Sequence, residues 1–246
     1  MCSHFIILSS SYSAGERIAL DFTDFSKDIN SIIKRIKQEC GEDVSISTHG
    51  INADDTTWEG VKRADPFFQD VRLIKNVDEF IRLIKQDRIL SGTDIAKYIL
   101  SVVGNCTHLK LEKLVYFCYA DYICGTGKKL FKDKIFAYKL GPVVESVYQQ
   151  YKSYGKETID DTDENFIPQR KDRRLSSRSR ILFSEDGVQK MVSIITTLKK
   201  YGLLTASHLV ELTHSENSPW SHYDSTQPHQ EMEDDIIKKY HSNESL

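Results

Sequence analysis

The stretch 134-KIFAYKLGPVVESVYQQYKSYG-155 decides how the second half of this chain is read. Ile135 to Leu140 reads as a short extended segment. Gly141 tolerates the backbone angles of a sharp reversal, and Pro142 suits the first position of a helix. Val143, Val144, Val147, Tyr148 and Tyr151 then fall at helical spacing, giving an apolar face that is partly aromatic. A strand, a Gly-Pro corner and a helix are therefore expected. Tyr148 and Tyr151 are either core residues or the place where a partner docks.

Helical signals flank this stretch on both sides. Ser91 and Asp94 have near capping-box spacing, ahead of a stripe of Ile95, Tyr98, Ile99, Val102 and Val103. Thr107 opens a second helix with Leu111, Leu114, Val115, Cys118 and Tyr122 on one face. Tyr116 and Phe117 widen that face, so this helix is expected at the centre, covered from several sides. Gly125-Thr126-Gly127 stops it. Downstream, Ser184 is expected to cap a helix with Val188, Met191, Val192, Ile195 and Leu198 as its stripe. Thr205 caps a short one, and Ser218-Pro219 starts another turn.

The first sixty residues have a different texture. Phe5–Leu8 is an apolar run of strand length, and 44–47 alternates. Phe25, Ile29, Ile32, Ile33 and Ile36 have helical spacing, with Asp24 as the expected cap and Gly41 as the stop. Asp65-Pro66 breaks the pattern before a helix bearing Val77, Phe80, Ile81 and Ile84. The expected domains are a small α/β part at 1–60, a connector with a helix at 61–90, a helical domain at 91–224 and a tail at 225–246.

Composition limits the function classes. The 246 residues are 39% hydrophobic and 28% charged, with net charge −3, so bulk electrostatics do not call for nucleic acid or membrane. No apolar run reaches membrane length, and the N-terminus lacks a secretory pattern. Five cysteines without a C-x-x-C fit reduced thiols in a cytoplasmic protein. His208, His214 and the cysteines near His108 lack metal-ligand spacing. No nucleophile elbow, phosphate-binding loop or dinucleotide fingerprint occurs. No catalytic residue, metal or cofactor is assigned. An enzyme centred on His49, Asp54, Asp55 and Trp58 is the weakest reading. A second reading is a nucleic-acid-binding regulator using Arg170, Lys171, Arg173, Arg174, Arg178 and Arg180, a cluster able to neutralise phosphates. Against it stand the acidic run just upstream and the absence of interleaved aromatics.

Three blocks in order carry a resemblance. They are 109-LKLEKLVYFCY-119, the opening stretch from Ile135 to Gly155, and 209-LVELTHSENSPW-220. Together they resemble the Panacea domain, the family of SocA-like antitoxins and phage-associated GepA-like proteins, over about residues 91–224. Glu112 stands where that family often has glutamine, and Tyr138 where it often has tryptophan. The resemblance implies an α+β protein: a mainly helical domain with a short β-hairpin, preceded here by the small α/β part. It implies an antitoxin that binds and neutralises a partner toxin directly. It also implies a possible role as an adaptor presenting that toxin to a protease or chaperone. A phage-related interaction protein without a toxin partner is a further alternative. Among the motif positions, Lys113, Tyr116, Tyr148, Tyr151, His214 and Trp220 are the candidate partner interface, since polar-tipped aromatics are favoured anchors.

Overall fold

The computed structural model describes residues 1–12, 15–24, 28–160, 173–224, 227 and 230–244, with only the backbone for 173–176. The chain divides into two compact units. Residues 1–89 make one, and the described residues from Leu90 onward make the other.

The first unit is a sheet covered on both faces. Its elements are β1 (Cys2–Ser11), β2 (Glu16–Phe22), α1 (Ile29–Cys40), β3 (Ser47–Ala53), α2 (Trp58–Ala64), β4 (Val71–Leu73) and α3 (Val77–Arg88). The sheet order is β3-β1-β2-β4, with β1 antiparallel to both neighbours and β4 parallel to β2. Alternate residues of a strand point to opposite faces. Ile7, Ile18 and Leu20 therefore pack with Ile36 of α1 and Phe80, Ile81 and Ile84 of α3. Ile6, Leu8 and Ala19 pack oppositely, with Val61, Phe68 and Val71. The unbroken apolar run at Ile6-Ile7-Leu8 follows from this double cover.

Two expectations change here. The segment 61–90 is no connector: it supplies Val61, Phe68, β4 and α3 to the unit's cores. The cap of α1 is Asp28, whose side chain accepts from Ser31 N, rather than Asp24. Phe25, expected in that helix, lies outside the described residues.

The second unit is built around one helix. Its elements are α4 (Gly92–Val102), α5 (His108–Thr126), β5 (Ile135–Tyr138), β6 (Gly141–Val144), α6 (Glu145–Tyr151), α7 (Arg173–Leu182), α8 (Gly187–Tyr201), α9 (Ala206–Thr213), β7 (Gln230–Glu231) and α10 (Asp234–Tyr240). Thr107 caps α5 and Gly127 ends it in the left-handed region. All residues from Leu111 to Ala120 are buried, Glu112 and Lys113 included, so the helix packs on every side. The Ser91–Asp94 capping box forms at the start of α4.

Three further expectations are corrected. Gly141-Pro142 does not begin a helix; it begins β6, paired with β5 across the Lys139-Leu140 turn. Ser184 does not cap α8. Its hydroxyl donates to Ile181 O, closing α7, and α8 starts after Asp186. The segment 225–246, read as a peripheral tail, contributes Met232, Ile237, His241 and Glu244 to the buried interior.

Candidate functional site

The Gly141-Pro142 corner and the central helix meet in one seam. Among the described residues β6 pairs with β5 alone, so its other edge must be satisfied elsewhere. Two adjacent side chains of α5 do this. Lys113 Nζ donates to Pro142 O at 2.7 Å, and Glu112 accepts from Val144 N at 3.1 Å. A residue's N–H and C=O point to the same side of a strand, so proline at 142 removes a donor that would also have faced α5. Gly141 has φ +99°, and a Cβ there would lie 2.9 Å from Lys113 Nζ and 2.6 Å from Thr213 Oγ1. Glycine is thus required twice over, by backbone angle and by the approach of the lysine.

Lys113 is fully buried. Burial lowers its pKa to about 7, although the charges of Glu112 and Glu244 oppose the shift. Further along α5, Tyr116 donates to Glu244 at 2.8 Å. His241 bridges Glu244 and Asp121, at 2.8 Å to each, and Thr197 donates to Asp121 at 2.6 Å. Burial opposes charging of His241, but its hydrogen bonds to Asp121 and Glu244, and their negative charge, outweigh this and raise its pKa to about 9. This network ties the C-terminal turn to the centre of the unit.

The surface beside the seam is different in character. Tyr148 meets Tyr138 edge-to-face at 5.4 Å, and His108 at 5.3 Å. Trp220 Nε1 donates to Tyr138 O at 2.8 Å, and the Trp220 ring lies 3.8 Å from that of His214. His214 Nδ1 donates back to Val210 O at 2.7 Å. Half-buried His108, Tyr148, Tyr138, Trp220 and His214 thus form a continuous band along the β5–β6 hairpin. Leu140, at the hairpin tip, is 53% exposed.

The six candidate interface residues divide. Tyr148, His214 and Trp220 come together in the band. Lys113, Tyr116 and Tyr151 are at most 2% exposed and cannot meet a partner in this conformation. They are corrected to interior roles, because the seam and the Glu244 network hold the first two and the helical core encloses the third. His108 and Tyr138 in the band, and Leu140 beside it, are not among the six candidates; only the folded hairpin brings them together.

The alternative basic site also divides. Arg180 is 6% exposed and paired with Asp94 at 3.2 Å, so it serves the junction of α7 with α4, not phosphates. Arg178 is exposed. Arg170 and Lys171, and the side chains of Arg173 and Arg174, lie outside the described residues. In the N-terminal unit, His49 packs on Phe67 and Phe68, and Asp55 accepts from Thr57 and pairs with Arg63. Trp58 Nε1 donates to Val71 O. These groups hold local structure and do not converge on a common point. Among the described residues no cluster of three or more His, Cys, Asp or Glu is placed to hold a metal ion, and no helix is long and apolar enough to cross a membrane.

A central helix, a hairpin locked onto it and an aromatic face outside define a mainly helical domain. Residues 111–221 match the family described as Antitoxin SocA-like, Panacea domain. Among curated proteins, Antitoxin SocA of Caulobacter vibrioides (strain NA1000 / CB15N) is 28% identical over 115 residues, covering 46% of this chain and 57% of that protein. The chain therefore spans little more than half the length of that relative. No solved structure gives a significant match.

Proposed function

We propose that the protein is an antitoxin that binds a partner toxin protein directly, using the aromatic band of its Panacea domain. The observation that carries this reading is the band itself. It lies almost wholly within the segment that matches the antitoxin family, and it leaves tyrosine, histidine and tryptophan half exposed beside Leu140. Such groups offer a large contact area with few rotamers to freeze, which is what interface anchors need. The partner surface that fits is an apolar one with donors or acceptors at its rim, able to answer the tyrosine hydroxyl and the histidine ring.

The test is co-expression with the product of the adjacent reading frame. The expected result is that this product arrests growth alone and is silenced by the full chain, with the two recovered as a complex. The level of the product distinguishes blockade, where it is unchanged, from delivery to a protease, where it falls. A harmless neighbour that does not bind would remove the reading.

A further inference from the structure

The N-terminal sheet has two edges, and they are built differently. Edge strands expose unpaired backbone groups, and proteins blunt them by shortness, charge, proline or bulges. The β4 edge is blunted: it is three residues long and carries Arg72, paired with Glu16 at 2.7 Å. The β3 edge has none of these devices. Ser47–Ala53 is seven residues long and contains no charged residue and no proline. Its register against β1 runs from Ser47↔Leu8 to Ala53↔Cys2 without a bulge. Among the described residues β1 is its only neighbour. Thr48, Gly50 and Asn52, on the α1/α3 side, are exposed, and a Cβ at Gly50 would meet nothing within 4 Å.

We infer that β3 is a self-association edge, pairing antiparallel with β3 of a second copy about a two-fold axis at Gly50 to give a continuous eight-stranded sheet. The sequence of the edge suits its own copy. With Gly50 opposite Gly50, Thr48 faces Asn52 and His49 faces Ile51, so no like charges oppose each other within the strand. Two of the acidic residues flanking it are compensated: Asp43 pairs with Arg88 and Asp55 with Arg63, each at 2.6 Å. Phe67 is 45% exposed and packs on His49 at 5.5 Å, with the Arg17 guanidinium over its ring, so it backs the strand from its own sheet. An isologous pairing uses each cross-strand contact twice.

Sedimentation equilibrium of the full chain tests the inference. The expected result is a dimer of about twice 28.3 kDa at tens of micromolar. Gly50→Lys places two ammonium groups opposite each other and should give a monomer with an unchanged far-UV spectrum. Thr48→Lys, on the same exposed row, should weaken the dimer at least tenfold and serves if Gly50→Lys fails to fold. Gly50→Cys should form an intermolecular disulfide on mild oxidation, beyond any crosslink of the wild type through Cys2 or Cys124. The inference is overturned by a wild type that is monomeric at these concentrations. A dimer indifferent to the lysine variants, or the absence of the additional crosslink, would overturn it equally.

Discussion

Gly141 and Lys113 show how much one residue can carry in this protein. The lysine answers a strand carbonyl from inside the core, and only glycine at 141 leaves room for its ammonium. Gly141→Ala should therefore cost at least about 2 kcal/mol, from the left-handed backbone and the displaced lysine together. Gly125→Ala has the opposite sign. It sits in α5 with open space at its Cβ, so alanine should add about 0.5–1 kcal/mol. Urea unfolding of the two variants checks both signs. His241 gives a pH signature. Its pKa, about 9 when folded, lies above its ordinary value of 6.5. The folded state thus holds the proton more tightly, and the contribution is full below pH 6.5 and lost as pH rises through 9. The stability gap between wild type and His241→Gln should be widest near pH 6 and narrow by pH 9.5. Lys113 runs the other way: its depressed pKa makes the fold gain as pH rises above 7. That contribution is common to both proteins and largely cancels in the comparison.

The elements were legible where apolar spacing and caps agree. The broad apolar face of α5, the Ser91 capping box and the Gly127 stop could all be read from the letters, because each has a local physical cause. Gly141-Pro142 could not be placed correctly. A helix start and an edge strand both tolerate proline, and only the position of Lys113, 29 residues earlier, separates them. The C-terminal turn was missed for a related reason. His241 and Glu244 carry no hydrophobic signal, and their burial depends on Tyr116 and Asp121 far away in sequence. Of the six residues the motif picks out, Tyr148, His214 and Trp220 lie in the band, while Lys113, Tyr116 and Tyr151 are interior, a difference their residue types do not reveal. Arg180 makes the same point about charge runs. Its guanidinium is committed to Asp94, so Arg180→Ala should cost about 3 kcal/mol in a denaturant melt, as for other buried pairs broken from one side. Nucleic-acid retention in a filter assay should not change through loss of this residue.

At the scale of the whole molecule, a sheet unit precedes a helical one, each with its own core. The helical core cluster lies entirely between Leu90 and Ile237. A fragment from Leu90 to Leu246 should therefore fold alone, with one cooperative thermal transition. Removing residues 234–246 from it should abolish that transition, because Tyr116, Tyr119 and Asp121 lose their buried partners. The proposed recognition surface lies on the outside of this unit, along the hairpin. Its most direct test is the affinity of the full chain for the co-expressed toxin, measured by calorimetry for Leu140→Glu and Tyr148→Ala beside Gly125→Ala as a remote control. The expected result is a loss of at least tenfold for each band variant, with unchanged melting, and none for the control. Affinity equal to wild type in both band variants would contradict it.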